Sequence, residues 1–297
     1  MGVEQQPTVR RRVLGTNLRR LREDRELLLE DAAEQLSCHA AKISRIESGR
    51  SGIRPLDLKA LLDLYGVEGA REREGWLALA RDGRRQRWWR VLEDRLPQDF
   101  LDLIGLEDEV AECRGWQPGV VPGLLQTVDY ATAVIRGGAA GPLTEEQRTR
   151  LQVRMERQKV LNRTEPDPLK VWLVLGEAAL RQEVGGRTVL RGQLLRLVDV
   201  AQLPNVTLQV LPFTAGAYMG GPAPFLMYQF PPPSGLDVVL LENLTSHAYL
   251  EAPADTAHYG SVFDHLRAAA LSPLDSQALL GSLAEELAVH TQEGASG

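Results

Sequence analysis

The stretch Lys42-Ile-Ser-Arg-Ile-Glu-Ser-Gly-Arg50 decides how the first part of this 297-residue chain folds. Ile43 and Ile46 are three residues apart and share one face of a helix, whereas the residues between them lie on the opposite face. Gly49 supplies a residue suited to ending such a helix. The pattern predicts a short amphipathic helix from Ala40 to about Ser48.

Three more helices are predicted around this one from apolar residues at helical spacing. The first runs from Arg11 to Arg25 and the second from Leu29 to Leu36. The fourth runs from Pro55 to Tyr65, with proline in its first turn and a glycine directly after its end. Short helices with tight turns in this order are typical of a helix-turn-helix bundle. We therefore predict an all-α N-terminal domain.

These residues resemble the XRE (Cro/repressor-like) family of DNA-binding domains through Leu18-Arg-Arg-Leu-Arg22, Ala32-Ala33 and the stretch from Lys42 to Arg50. In that family the third helix enters the major groove, so the resemblance implies binding to double-stranded DNA. It also implies that five positions of the third helix face base edges: Ala40, Ala41, Lys42, Ser44 and Arg45. It further implies that three positions after this helix approach phosphates: Arg50, Ser51 and Arg54. By the same resemblance, Arg22 and Glu47 pair across the first and third helices.

The sequence departs from the family pattern at two helix starts. Leu28 and Leu29 stand where the family has a capping Ser or Thr followed by a Gln that touches a phosphate, and His39 replaces the usual capping Ser of the third helix. A lost side-chain cap costs about 0.5–2 kcal/mol. We therefore expect weaker binding per half-site and a greater need for a dimer. The alternative is a domain that no longer binds DNA.

Charge is unevenly distributed along the chain, whose net charge is −6. Up to residue 90 there are 19 Lys and Arg residues against 14 Asp and Glu, and after it 15 against 26. Phosphate attraction is local and acts over about one Debye length, ~8–10 Å, so a basic head on an acidic body is compatible with DNA binding. A plain helical bundle with a solvated arginine face is the alternative, and the order of helices, turn and motif favours DNA binding over it.

Several classes of protein are excluded by what the sequence lacks. It has no apolar run long enough for a transmembrane helix and no secretory signal. Cys38 and Cys113 form no CxxC pair, and the five histidines show no HExxH spacing. We expect a cytoplasmic, nucleoid-associated protein with no metal site, no cofactor and no membrane contact.

The C-terminal part shows alternating apolar runs that predict four strands. They are residues 171–175, 206–211, 225–230 and 238–241. Helical patterns lie between and after them, at residues 145–161, 190–201, 256–270 and 275–289, and residues 231–235 indicate a hairpin connection. The fold class is therefore a mixed α/β (α+β) C-terminal domain following the helix-turn-helix domain. We place the domains at residues 1–87, with a connecting helix, and 88–291, and expect a disordered tail at 292–297.

The run Val121-Pro-Gly-Leu-Leu-Gln-Thr127 is the best-defined motif of the C-terminal part. Thr127 can cap the helix that follows, so a structural turn is the favoured interpretation of the run. With Asp129-Tyr130 and other short stretches, it makes the chain similar to the WhiJ-like regulators of actinobacteria, in which an XRE head precedes a C-terminal domain of unknown function. That resemblance implies an antitoxin-like regulator with a small partner protein encoded nearby. The candidate effector-site residues are Gln126, Tyr130, Glu177 and Glu242.

Three hypotheses follow for the function. The first is a homodimeric, sequence-specific regulator of transcription on a palindromic operator, with a C-terminal domain that senses a ligand or binds a partner. The second is an enzyme domain that DNA merely localises. It lacks an assembled set of catalytic residues in the sequence, so we expect no enzyme. The third is an interaction protein whose head has lost DNA binding.

Overall fold

The computed structural model describes residues 9–80, 89, 95–221, 223–231, 237–242 and 247–293. Within these ranges an all-helical N-terminal region is followed by a region in which helices surround a mixed sheet, so the predicted fold class is confirmed. The predicted domain boundary at 87/88, residues 232–235 of the predicted hairpin and residues 294–297 of the predicted tail lie outside the described residues. No helix in the described ranges has the length and apolar character needed to cross a membrane.

The N-terminal region consists of five short helices, of which the first four are those predicted from the sequence. They are α1 (Val9–Glu23), α2 (Leu29–Gln35), α3 (Ala40–Glu47), α4 (Pro55–Leu64) and α5 (Ala70–Ala80). Their apolar faces meet in one core, in which Leu18, Ile43 and Leu58 are completely buried. Burial of these stripes holds the short helices together, because helices of this length are marginal in isolation.

The backbones of α1 and α3 approach each other unusually closely. A Cβ atom at Gly15 in α1 would lie 2.5 Å from the carbonyl oxygens of both Ile46 and Glu47. A Cβ atom at Gly49, just after α3, would lie 2.8 Å from the backbone nitrogen of Arg12, and Gly49 also has a φ of +72°. Glycines at these two positions therefore set how deeply α3 docks against α1.

The missing side-chain cap weakens the start of α2 less than the sequence suggested. Neither Leu28 nor His39 forms a side-chain cap. The backbone N–H of Leu28 donates to Oδ2 of Asp31 at 2.7 Å, and Glu30 adds a second carboxylate to the first turn. The carboxylates offset part of the missing cap because they satisfy one free N–H and favour the positive end of the helix dipole.

The C-terminal region is built on six strands and seven helices within the described residues. They follow in the order α6 (Gln98–Glu109), β1 (Glu112–Gln117), α7 (Val128–Arg136), α8 (Glu145–Arg157), β2 (Lys170–Gly176), α9 (Glu177–Arg181), α10 (Arg187–Val200), β3 (Val206–Leu211), β4 (Phe225–Gln229), β5 (Asp237–Glu242), β6 (His247–Leu250), α11 (Pro253–Ala269) and α12 (Pro273–Glu293). The sheet order is β3-β2-β1-β4-β5-β6. The first three strands are parallel, and β4, β5 and β6 pair antiparallel.

Two strands, β1 and β6, were missed by the sequence analysis, although β1 lies at the centre of the sheet. β1 carries Arg114 and Gly115 between its buried residues, which breaks the apolar alternation used to recognise strands. A Cβ atom at Gly115 would overlap the carbonyl oxygen of Phe225 in β4, so this position has no room for a larger residue. The predicted tail was also wrong at its start, because α12 continues to Glu293.

Each face of the sheet is covered by a different set of helices. On one face, Trp116, Val174 and Met227 pack against Val262 and Phe263 of α11. The other face contributes to a larger apolar cluster with α6, α10 and α12. The cavity described below lies on this second face.

We expect Gly15→Ala to lower the free energy of unfolding by about 1–3 kcal/mol, because its new methyl group would push α1 away from the backbone of α3. Gly192→Ala in α10 is the matched control, since no atom lies within 4 Å of the Cβ it would introduce. This control should stabilise by about 0.5–1 kcal/mol through the helix preference of alanine. Urea denaturation measures both variants, and equal effects would contradict the close packing of α1 on α3.

Candidate DNA-binding surface and effector cavity

One face of α3 is directed to solvent along its whole length. Ala41, Ser44, Arg45 and Ser48 are exposed and follow the i, i+3, i+4, i+7 spacing of a single helix face. Ile43 and Ile46 on the opposite face are buried. The stripe therefore offers one methyl group, two hydroxyl groups and one guanidinium, which are groups that can read base edges in a major groove.

Two of the five predicted base-reading residues flank this stripe. Ala40 is half-buried. Lys42 is half-exposed, and its Nζ lies 2.8 Å from Oδ2 of Asp57 in the first turn of α4. Lys42 is therefore held by a carboxylate of its own chain, a partner that its place in the sequence motif did not reveal.

The predicted phosphate-contacting residues lie just beyond α3. Arg50 and Arg54 are exposed, and among the described residues neither side chain has a hydrogen-bond or ion-pair partner. Ser51 is half-buried, and its hydroxyl donates to the carbonyl oxygen of Gly52 at 3.2 Å. Together with Arg45, two further guanidinium groups are thus available beside the exposed stripe.

A buried ion pair holds α3 against α1. Arg22 donates from Nε and Nη2 to the two carboxylate oxygens of Glu47, at 2.7 and 2.9 Å, and from Nη1 to the carbonyl oxygen of Leu27 at 2.7 Å. Both side chains are less than one tenth exposed. The hydrogen bond to Glu47 raises the pKa of Arg22. The pair fixes the end of α3 from which the loop with Arg50 and Arg54 departs.

Helix α1 also contacts the C-terminal region. Nη1 of Arg10 lies 2.7 Å from Oε1 of Glu109 at the end of α6. Nε of Arg12 lies 3.1 Å from Oε1 of Glu251, and its guanidinium stacks 5.4 Å from the ring centre of Tyr249. Two arginines of one helix therefore connect the helix-turn-helix bundle to two different elements of the second region.

A cavity of about 710 Å³ opens on the second face of the sheet. Its floor comes from β1, β2 and β4, its walls from α6 and α8, and its rim from the Val121–Thr127 run. Its lining residues are Pro97, Phe100, Leu103, Glu107, Cys113, Gln117, Val120, Val121, Pro122, Gly123, Leu124, Gln126, Val134, Arg150, Arg154, Arg157, Leu173, Leu226, Glu242 and His247.

Glu107 and Arg157 form a second buried ion pair, in the wall of the cavity. Arg157 donates from Nε and Nη2 to both oxygens of Glu107, each at 2.7 Å, and the hydroxyl of Tyr228 donates to the same carboxylate at 3.0 Å. Burial disfavours the charged form of Arg157, but the charge and hydrogen bonds of Glu107 outweigh this effect and raise its pKa. Burial likewise raises the pKa of Tyr228.

Arg154 lies one turn before Arg157 and lines the same cavity, but its interactions differ from those of Arg157. Its Nη1 donates to Oε1 of Gln126 at 2.9 Å, and no carboxylate of the described residues lies within ion-pair distance of it. Burial, followed by the charge of Arg157, lowers the pKa of Arg154 to about 10. Arg150, one turn earlier, is paired with Glu146 at 2.7 Å on the helix surface.

The Val121–Thr127 run is held in place by buried amides. Gln193 is completely buried, accepts from the backbone N–H of Thr127 at 2.7 Å and donates to the carbonyl oxygen of Leu125 at 2.8 Å. The hydroxyl of Thr127 accepts from the backbone N–H of Tyr130 and so caps α7. Because the amide nitrogen of Gln126 is fixed on the Val121 carbonyl at 2.7 Å, its oxygen is turned toward Arg154.

The four residues predicted for an effector site do not form one cluster. Gln126 and Glu242 both line the cavity. Tyr130 is buried under the Val121–Thr127 run, where its hydroxyl accepts from the Val121 N–H at 3.4 Å. Glu177 starts α9, outside the cavity, and accepts from the Phe213 N–H at 2.8 Å and from Arg181 at 2.6 Å.

Comparison with known families assigns both regions of the chain. Residues 100–282, more than half of the chain, match a family described as a domain of unknown function (DUF5753). The chain belongs to the DUF5753 family. Residues 13–75, ahead of the DUF5753 domain, match a helix-turn-helix domain family, which supports an XRE-like, DNA-binding regulator. Neither the curated proteins nor the solved structures gave a match.

The sequence analysis missed two contributors to these sites. Ser48 completes the exposed stripe of α3, and its spacing from Ala41 and Ser44 already indicated that position. Arg154 lines the DUF5753 cavity, and the arginines at 150, 154 and 157 share one face of α8. That spacing was visible in the sequence, whereas the difference between Arg154 and Arg157 depends on Glu107, which lies far away along the chain.

We expect Arg157→Met to lower the free energy of unfolding by about 3–5 kcal/mol, because it leaves the charge of Glu107 buried without its counter-ion. Arg148→Met in the same helix is the matched control. It breaks an exposed pair with Glu145 and should cost less than about 1 kcal/mol. Urea denaturation of the full chain measures both, and a small loss for Arg157→Met would show that the pair does not hold the wall of the cavity.

We expect Asp57→Asn to increase affinity for DNA, because it frees Lys42 and removes a carboxylate beside α3. The slope of log K against log salt should steepen by up to about 0.9, the value for one further cation placed against the DNA. Asp63→Asn, at the other end of α4, removes a carboxylate paired with Arg73 and should leave the slope unchanged. Fluorescence anisotropy at several salt concentrations tests the pair of variants, and identical slopes would mean that the released Lys42 does not reach the DNA.

Proposed function

We propose that this chain is a sequence-specific regulator of transcription that binds a palindromic operator as a homodimer. α3 lies in the major groove in this proposal, with Ala41, Ser44 and Arg45 at base edges. Lys42 joins them once Asp57 releases it, and Ala40 contributes a methyl contact at the edge. Arg50, Ser51 and Arg54 contact phosphates and fix the register of the helix on the duplex.

The observation that carries the proposal is the exposed stripe of α3 beside three guanidinium groups without partners among the described residues. An unpaired arginine at the surface needs no special explanation by itself. Arg45, however, lies on the exposed face of α3, and Arg50 and Arg54 follow in the loop directly after this helix, which two glycines and a buried ion pair hold against α1. A rigid helix with outward cations suits groove binding, since phosphate contacts supply affinity and base contacts supply specificity.

A dimer follows from how little DNA one copy of α3 can read. The exposed stripe offers four side chains, two of which are short hydroxyls. Two copies on half-sites about 34 Å apart double the contacts and add the specificity that one weakly capped module lacks. We propose that the dimer acts at the nucleoid, in the cytoplasm.

The DUF5753 domain is the effector or partner-binding part in this proposal. Its contacts to α1 through Arg10 and Arg12 support it, since they give the domain a physical connection to the DNA-binding bundle. The WhiJ-like resemblance adds an antitoxin-like role with a small partner protein, acting as a repressor in the simplest form. We assign the domain no catalytic step.

An enzymatic role is the second candidate, and one observation favours it. Nε2 of His247 lies 3.7 Å from Oε1 of Glu242 in the cavity, which brings an imidazole and a carboxylate side by side without a hydrogen bond between them. Glu107 in the same cavity is committed to Arg157 and Tyr228, and Glu177 lies outside it. The regulatory role is favoured because Cys113, the one thiol of the described lining, is buried, and burial raises its pKa and so keeps it a poor nucleophile.

The experiment is selection of bound sequences from a random DNA pool by the full-length chain, followed by anisotropy titrations. We expect Arg45→Ala to relax the preference at one base position by about 1–3 kcal/mol. Arg50→Ala should weaken binding to all sequences alike and lower the salt slope by about 1. Arg191→Ala is the control, since this exposed arginine of α10 lies in the other domain.

The outcome also tests the stoichiometry. Sedimentation of the complex should give two chains per selected palindrome. A selection that enriches no sequence, together with binding that is independent of salt, would sink the proposal and favour the interaction protein without DNA binding.

A further inference from the structure

We propose that the cavity of the DUF5753 domain binds a small amphipathic anion, a carboxylate or a phosphate monoester, whose charged end is received by Arg154. The ligand site itself stands on the geometry of the cavity. Its regulatory meaning rests on the proposed function, because only a DNA-binding chain has an activity for the ligand to change.

The contrast between two arginines of one helix carries the inference. Arg157 has a bidentate carboxylate partner, and its donors are satisfied by Glu107. Arg154 faces the same cavity with one neutral amide oxygen as its partner. A largely buried cation without a counter-ion is unfavourable, so such a group usually serves a bound anion. Guanidinium groups suit carboxylate and phosphate because both accept two parallel hydrogen bonds.

The other charged groups of the cavity do not neutralise the positive charge of Arg154. The charge of Glu107 is taken up by Arg157, and Arg150 is paired with Glu146 on the outer surface. Glu242 is nearly half exposed at the rim, beside His247, and only partly offsets the positive potential. The lowered pKa of Arg154, caused by burial and then by Arg157, agrees with a site that is positive and short of anions.

The other residues that line the cavity indicate the size and polarity of the rest of the ligand. Apolar side chains from four elements surround the arginine: Phe100, Leu103, Leu124, Leu173 and Leu226. Gln117 and Gln126 add two amides. The volume of about 710 Å³ lies in the usual range of small-molecule sites, ~300–1,000 Å³. An anion with an apolar body of modest size fits this combination better than a bare inorganic ion.

Helix α6 provides the route from this site to DNA. Phe100, Leu103 and Glu107 on α6 form part of the cavity wall, and Glu109 at its end binds Arg10 of α1. α1 in turn is fixed to α3 through Gly15 and the Arg22–Glu47 pair. A ligand that shifts α6 therefore acts on the orientation of the recognition helix.

Isothermal titration calorimetry with the full-length chain tests the site directly. The probes are hexanoate and hexyl phosphate, with 1-hexanol and hexylammonium as matched controls of the same apolar length. We expect at least one anion to bind in a 1:1 ratio and at least about tenfold more tightly than the alcohol. Preference for hexanoate or for hexyl phosphate then identifies the charged group. Tightest binding of hexylammonium would place the anchor at Glu242 and overturn the proposal.

Arg154→Gln separates ligand recognition from folding. We expect this variant to lose at least about tenfold in anion affinity and to keep the melting temperature of the parent chain, because it removes a buried charge that has no carboxylate partner. Arg191→Gln, an exposed arginine of α10, should change neither. Unchanged anion affinity in Arg154→Gln, or no preference for anions over 1-hexanol, would overturn the assignment.

Anisotropy with a selected operator, with and without the bound anion, then tests the regulation. We expect the ligand to change DNA affinity at least about fivefold, the lower end of typical coupling, and Arg154→Gln to abolish the change. DNA binding that ignores a bound anion would refute the α6 route while leaving the DNA-binding proposal intact. Anion binding to a chain that binds no DNA would refute the proposed function and leave the site itself supported.

Discussion

The ion pair between Glu107 and Arg157 is the interaction on which the C-terminal domain depends. It joins α6 to α8, and the hydroxyl of Tyr228 attaches both helices to the central part of the sheet. Two desolvated charges are favourable only when their geometry is good and the remaining lone pairs are satisfied, as they are here. The pair therefore keeps two helix walls at a fixed separation, and the cavity is the space that remains between them.

The N-terminal domain also uses a buried pair of arginine and glutamate to hold a helix in place. Arg22 and Glu47 form a bidentate pair in a core that is mostly apolar, and the pair specifies which turn of α3 meets α1. The two pairs differ in what surrounds them. The Arg22–Glu47 pair is enclosed by helices, whereas Arg157 has Arg154 one turn away on the open side. In both domains the pair fixes an orientation, that of α3 in the first and that of a cavity wall in the second.

How far the sequence could predict the molecule depended on how local each signal was. The register of Ile43, Ile46 and Gly49 is contained in one helix, so the helix-turn-helix bundle could be placed within a few residues. β1 could not, because Arg114 and Gly115 interrupt its apolar pattern and only the neighbouring strands explain them. The pairing of Lys42 with Asp57 and the isolation of Arg154 depend on tertiary contacts, which no local pattern encodes. Tyr130 and Glu177 were assigned to the effector site because the sequence does not show the hydrogen-bond partners that hold them elsewhere.

The strand order determines where the cavity of this domain opens. β1 runs parallel to one neighbour and antiparallel to the other, so the chain leaves these strands in opposite directions and a crevice opens beside the carboxyl end of β1. Gln117 marks that end, and the Val121–Thr127 run arches over it. The position of the opening is thus set by topology, the Glu107–Arg157 pair holds its walls, and the other side chains of α8 determine which molecule it admits. A few substitutions on α8 can therefore change the chemical specificity of the cavity without rebuilding the scaffold.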